Sequence, residues 1–272
     1  DRLISTYQIN ALGQYDDALR FHRDALGVYE EQDDKAGKAG QLARIAAVQS
    51  ALGQVDEALK TLQQAAQLNE AGRNRVALAG NLASMGEIRE RFEQFDEALR
   101  CCQGALDLHR ALRDDAGAAA QLASIAAIHR RRGDLRAALA AFQESWRLSN
   151  RCQSIPAEID GLCNLGSVFE ELGDMEKAVT CLQQALDLDH TVGDRKGEAS
   201  HLRALAGMQI KLGQADEALA SCEQAIAAAQ AAGDRQGEAE GFLALAKAHA
   251  AADRLPEARA AVDEATAIAA RL

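Results

Sequence analysis

The six histidines and six cysteines are the side chains here that could bind a metal, attack an electrophile or carry a proton. His22, His109, His129, His190, His201 and His249 are scattered, and no two stand four residues apart beside a carboxylate, as a helical zinc site requires. Cys101 and Cys102 are neighbours, but adjacent helical residues point about 100° apart, too far to share an ion. Cys152, Cys163, Cys181 and Cys222 complete no C-x-x-C pair. No glycine-rich loop follows a strand to cradle phosphate, and no segment reads as a strand. The sequence therefore predicts no catalytic residue, no metal site, no cofactor and no enzyme. Cys102 and Cys222, at the repeat position of Leu62, Phe142, Leu182 and Val262, read as small buried hydrophobes of a reducing compartment, which places the chain in the cytoplasm.

What positions these side chains is a repeat of 40 residues. Segments beginning at Leu12, Leu52, Phe92, Arg132, Leu172, Leu212 and Ala252 read LGQYDDAL, LGQVDEAL, FEQFDEAL, RGDLRAAL, LGDMEKAV, LGQADEAL and ADRLPEAR, without insertion or deletion. A period of this length signals a solenoid whose units contact only their neighbours. The units span about 1–33, 34–73, 74–113, 114–153, 154–193, 194–233 and 234–272, and together make one array over 1–272.

The unit from Gly193 to Gly233 shows the local logic. Asp194 can cap a first helix by accepting its free amide hydrogens, and Asp34, Asp114 and Asp234 hold the same slot. Leu202, Leu205 and Met208 recur at helical spacing. Ala46, Gly86, Ala126, Gly166, Ala206 and Ala246 keep one slot small so that a partner helix can approach closely. Gly213 ends the first helix, and a second runs from about Asp216 to Ala231. One slot of that second helix is alanine in every unit, from Ala18 and Ala58 through Ala138 to Ala258. Helix propensity alone would accept Leu, Glu or Lys there, so the slot is sterically closed. Ala138→Leu is expected to overpack it, at about 1–3 kcal/mol.

These units resemble the tetratricopeptide repeat, in the 40-residue form of the LGN/Pins adaptors, rapsyn and kinesin light chain. The stretch FDEALRCCQGALDLHRAL, Phe95 to Leu112, is particularly similar to an LGN-type unit. The resemblance implies an all-α, right-handed superhelical solenoid of about seven helical hairpins, with the first helix of each hairpin lining a concave groove. It thereby implies groove positions at Arg44, Ser84, Ser124 and Asn164, and one turn on at Glu87, Ser167 and Lys247. Arg91, Arg131 and Lys211 fall at the groove edge, with Arg130 and Arg203 beside these slots. Arg44, Arg91, Arg130 and Arg131 make the groove mildly basic over units 2–4, and guanidinium groups offer bidentate contacts to carboxylates. The family's carboxylate clamp fits at no register, and its Asn-Leu-Gly-Asn ladder is approached only by Asn164-Leu165-Gly166-Ser167.

Departures from the repeat mark special places. Arg2, Ser5 and Thr6 spoil the apolar stripe of the first unit, which reads as a solvated cap or truncated unit. Glu93 and Asp253 replace turn glycines, and Arg259 replaces an apolar residue in the last unit. NRCQSIPAEID, Asn150 to Asp160, replaces a Gly-Asp turn; Pro156 there can open the next helix or form a hinge, with Phe142 and Trp146 filling the space before it. The chain begins inside a unit and ends without a polar cap. Continuation beyond Leu272, or self-association through the last helix, is expected.

Net charge is −11, distributed as −2 over residues 1–80, +1 over 81–152 and −10 over 153–272. That balance argues against nucleic acid, and the absence of an 18-residue apolar run argues against a membrane span. The function expected is a non-enzymatic scaffold holding a peptide or helical segment of a partner protein, of acidic character, in its groove. The alternatives are a ligand- or peptide-sensing domain of a larger signalling protein and a self-assembling repeat module.

Overall fold

The computed structural model describes the backbone of residues 2–271 and the side chains of residues 14–271. Thirteen α-helices and no strand occur among the described residues. A long helix, α1 (Arg2–Glu31), is followed by six hairpins: α2 (Lys35–Ala51) with α3 (Val55–Ala71), α4 (Arg75–Arg91) with α5 (Phe95–Leu112), and α6 (Asp115–Arg132) with α7 (Leu135–Arg151). Then come α8 (Ile155–Glu171) with α9 (Met175–Val192), α10 (Arg195–Lys211) with α11 (Ala215–Ala232), and α12 (Arg235–Ala251) with α13 (Leu255–Ala269). Contacts cluster into two compact units, residues 1–148 and 149–272, and the division falls inside α7.

The first unit of the repeat departs from expectation. The backbone of α1 stays helical through Gly13, so Arg2–Glu31 form one helix rather than a hairpin. In the sequence, Arg2, Ser5 and Thr6 stand in the slots that carry the apolar stripe of later first helices. Those side chains lie outside the described ones.

Elsewhere the turns follow one design at half the sequence period. A residue with positive φ stands every 20 residues from Asp33 to Asp253. Six are glycine and six, including Asp33, Glu93 and Arg113, are not. Except after Gln153, the next amide reaches back over the last helical turn, as Gln54 N–H does to the Gln49 carbonyl at 2.9 Å and Asp194 N–H to that of Asp189 at 3.0 Å. Asp34, Asp114, Asp194 and Asp234 then cap the following first helices through their side chains, as the sequence indicates. Ser154 starts α8 without a side-chain cap, and Pro156 occupies its first turn, where a missing N–H costs nothing.

The small slots lie at the helix crossings. Ala58, Ala98, Ala138, Ala178 and Ala218 are all fully buried, and a Cβ added to Gly86 would stand 2.6 Å from the Cys102 sulfur. Around these crossings the apolar stripes close into cores. Ala98, Cys102, Leu106, Leu122 and Ile128 form one in the first compact unit. Leu182, Leu186, Leu202, Leu205 and Met208 form another in the second. Cys102 and Cys222 are buried hydrophobes, as expected, whereas Cys152 is exposed.

Candidate functional site

Two cavities open at the same place in the repeat, 120 residues apart. In the first compact unit, Ala43, Ala47 and Ser50 of α2, Leu62 of α3, and Ser84, Glu87, Ile88 and Arg91 of α4 line about 180 Å³. In the second, Cys163, Ser167 and Glu170 of α8, Leu182 of α9, and Ala204, Gly207, Met208 and Lys211 of α10 fill the same eight slots. Ser200 and His201 extend that wall, and the volume is about 410 Å³. Ala204 and Gly207 stand in the larger cavity where Ser84 and Glu87 stand in the smaller one. Successive first helices thus wall both cavities, which brings together Ser84, Glu87 and Arg91 in one and Ser167 and Lys211 in the other.

Electrostatics separates the candidates. Arg131 Nη1 donates to the Glu90 carbonyl at 2.8 Å and lies 3.5 Å from the Glu90 carboxylate, while its guanidinium sits 5.5 Å from the centre of the Phe95 ring. Lys211, at the same slot, bonds the Glu170 carboxylate at 2.5 Å. Both cations are therefore neutralised by the preceding unit. Arg91 occupies that slot too, but the residue equivalent to Glu90 and Glu170 is Ser50, so it faces no acid there.

The other candidates are spread out. Arg44 is exposed on α2; Arg130 on α6 and Asn164 on α8 are half-buried. Ser124 and Ser167 donate to the carbonyls of Ala120 and Cys163, at 3.3 and 3.0 Å. Arg203 pairs with Glu240 at 2.7 Å. Lys247 lines a cavity of about 470 Å³ with Leu243, Ala250, Arg259 and Val262, in slots matching the α2 and α3 side of the first cavity.

One constellation is absent from the sequence reading. Cys163 Sγ lies 3.0 Å from His201 Nε2, and His201 Nδ1 lies 2.6 Å from the Asp189 carboxylate. Asp189 is only 1% exposed. Burial pushes its carboxyl above the usual carboxylate range, against the pull of the His201 hydrogen bond. Burial, reinforced by the charges of Asp160 and Asp189, pushes the Cys163 thiol up to about 12. The thiol thus keeps its proton near neutral pH and donates it to Nε2, leaving Nδ1–H to donate to Asp189. The three residues sit on three helices, so no local motif announces them. A signal did exist in the turn period: residues 12 apart meet across a turn, as Thr61 meets Gln49 at 2.9 Å and Ser221 meets Gln209 at 2.8 Å. His201 and Asp189 are such a pair.

Paired helices, small crossing residues and capped turns repeating in this way define the tetratricopeptide-like repeat fold. The tetratricopeptide repeat family model matches residues 159–192, and that of anaphase-promoting complex subunit 5 matches residues 13–132. Sequence comparison finds no match among curated proteins. Among solved structures, the chain is similar to BtubC (BKLC) from P. vanneervenii, with 20% identity, a TM-score of 0.68, and 80% of this chain and 89% of that one covered. It is also similar to a signal transduction ATPase with numerous domains from Pyrococcus horikoshii, which carries a tetratricopeptide repeat sensor. There the identity is 16% and the TM-score 0.78, over 97% of this chain but 40% of that one. A Rap protein solved in complex with competence and sporulation factor is similar at 13% identity and a TM-score of 0.57, over 93% and 85%.

Proposed function

We propose that this chain is a non-enzymatic interaction repeat, whose first helices hold a peptide or helical segment of a partner protein. The observation that carries this reading is the recurrence of one cavity in two units, with an apolar floor and polar residues at the rim. Leu62 and Ile88 form such a floor in the first cavity, and Glu87 and Arg91 its charged rim. A cavity of that kind accepts one anchoring side chain, and affinity in such interfaces concentrates in a few anchors. Arg91, which faces Ser50, and the exposed Arg44 are the cations we assign to an acidic residue of the partner. Ser84, Ser124, Arg130, Asn164 and Ser167 supply further polar contacts. Arg131, Arg203 and Lys211 contribute less, because a ligand must displace their carboxylate partners. Self-association through α13 rests on the exposure of Leu255 and Val262.

The reading is tested by selecting phage-displayed peptides on wild-type chain and on an Arg44→Glu, Arg91→Glu variant of equal helicity. Acidic peptides with one apolar anchor should enrich on the wild type and vanish from the variant. Identical peptides on both would move the site elsewhere, and no enrichment on either would sink the peptide reading.

A sensor domain of a larger signalling protein is the second reading. It is favoured by the fit of nearly the whole chain to a multidomain ATPase whose repeat is described as a sensor. In that case the ligand would change the geometry of the repeat rather than only be held by it. Small-angle scattering of the chain with and without a selected peptide separates the two.

A further inference from the structure

The thiol, imidazole and carboxylate of Cys163, His201 and Asp189 form a relay that peptide binding leaves unused. Four of the six cysteines, Cys101, Cys102, Cys181 and Cys222, are buried, and Cys152 is exposed. Cys163 is the thiol with an imidazole against it, at 3.0 Å. Its neighbours prepare the base. Asp189 accepts from Nδ1, so Nε2 presents its lone pair to sulfur, and a positioned imidazole of that tautomer is what general-base assistance needs. The titratable groups around the relay are Asp160 and Glu170 on α8, the Cys181 thiol and Asp189 on α9, Asp194 at the N-cap of α10, and Glu198 and Lys211 on α10, with Glu170 and Lys211 paired to each other. Beside the sulfur, Ala204 and Gly207 leave open a cavity of about 410 Å³ over Leu182 and Met208.

We propose that Cys163 is a covalent capture site for a small apolar α,β-unsaturated carbonyl compound, with His201 as its base and Asp189 as the group that holds the base. In the step, Sγ bonds to the β-carbon, and the C=C π pair moves to the carbonyl as an enolate. The thiol proton passes to Nε2 and then to the α-carbon. Nothing is oxidised and nothing leaves; the net change is addition of S–H across the double bond. Asp189 stabilises the transient imidazolium through Nδ1–H. Acyl transfer is disfavoured because the backbone amides of α8 and α10 are committed to their helices and supply no oxyanion donors. The apolar floor suits a carbon electrophile better than a peroxide.

The test uses the full chain carrying Cys152→Ser, with methyl vinyl ketone as probe and intact mass with peptide mapping as readout. A single adduct at Cys163 is expected. Its rate should change by less than about twofold between roughly pH 7.5 and 9.5, because His201 takes the proton during attack. A thiol reacting without help, far below its own pKa, gains about tenfold per pH unit. His201→Gln should slow the reaction by at least about tenfold near neutral pH and restore that steep slope. If His201→Gln loses helicity, the slope of the Cys152→Ser chain decides alone: flat supports the relay, tenfold per unit overturns it. An adduct that forms only after denaturation in urea also overturns it.

Discussion

The cavities at Arg91 and at Lys211 share one backbone and differ in chemistry. Leu62 and Leu182 hold the same slot, as do Ile88 and Met208, so packing fixes the floor. The rim has been rewritten: Ser50 becomes Glu170, Ala43 becomes Cys163, and Ser84 and Glu87 become Ala204 and Gly207. In the first cavity the slot of the preceding unit that could pair with the cation holds Ser50, and Glu87 of its own helix is the acid on the rim. In the second the cation is spent on Glu170, the volume is larger, and a thiol with its own base has entered. A repeat thus separates the residues that hold the helices together from those that set the chemistry of the cavities between them.

That separation predicts its largest effect in the shared scaffold. Ala58 and Ala178 occupy the same crossing beneath the two cavities, and both are fully buried. Ala58→Leu and Ala178→Leu should each cost about 1–3 kcal/mol, as Ala138→Leu should between them, read as denaturant midpoints at constant slope. A cost at one site and none at the other would break the claim of a common floor. The rim comes next. Ser50→Glu rebuilds in the first cavity the pair that Glu170 makes with Lys211, and should weaken a selected acidic peptide by about tenfold, or about 1.4 kcal/mol. Unchanged affinity by calorimetry would remove Arg91 from the site.

The two units also offer a pair of histidine–aspartate contacts that burial sends in opposite directions. Asp114 accepts from the Gly117 amide and from His109 at 2.8 Å near the surface, and these bonds hold its carboxyl below the usual carboxylate range. Asp189 makes a shorter contact, 2.6 Å, but is buried, and desolvation holds its carboxyl above that range. A lowered folded value adds stability that is present above the unfolded pKa and lost as pH falls through the folded one. A raised value does the reverse: between the unfolded and folded pKa, stability declines as pH rises. Asp114→Asn should therefore flatten the acid limb of melting temperature against pH, and Asp189→Asn should remove a fall on its far side. Melts from about pH 3 to 7 measure both, and slopes of one sign would refute the contrast.

The hairpins, caps and crossing alanines were legible because each is a local rule applied at a fixed spacing. Asp194, Gly213 and Ala218 could be placed from one unit and checked against the others. The first unit read as a solvated cap or truncated unit from Arg2, Ser5 and Thr6; that its backbone runs on as one helix through Gly13 did not follow, because Gly13 holds the slot at which Gly53 makes a turn. The resemblance put Ser84, Glu87 and Arg91 on first-helix slots, and the three line one cavity between successive first helices. The pairing states of Arg131 and Lys211 did not follow, because their partners lie 41 residues back on another helix. The Cys163 relay stayed hidden for the same reason. It joins residues 38 and 12 apart, and the 20-residue period of the turns that aligns them is masked in sequence by the 40-residue period of the unit.

The smallest effect concerns those turns. Glu93 and Gly213 stand at one slot 120 residues apart, with φ of 60° and 76°. A side chain in this left-handed region costs about 1–2 kcal/mol relative to glycine, partly offset by the greater freedom glycine has in the unfolded chain. Glu93→Gly also gives up a 3.8 Å contact with Arg131 between exposed groups, which is worth little. The net expectation is a gain of about 0.5–1 kcal/mol for Glu93→Gly and a loss of similar size for Gly213→Glu. Equal and opposite shifts in denaturant midpoint would show that the two turns are one structure under different side chains. A loss from Glu93→Gly would mean that the Glu93 side chain holds the turn itself, through Arg131 or the helix it precedes, and that the first unit has its own way of closing a hairpin.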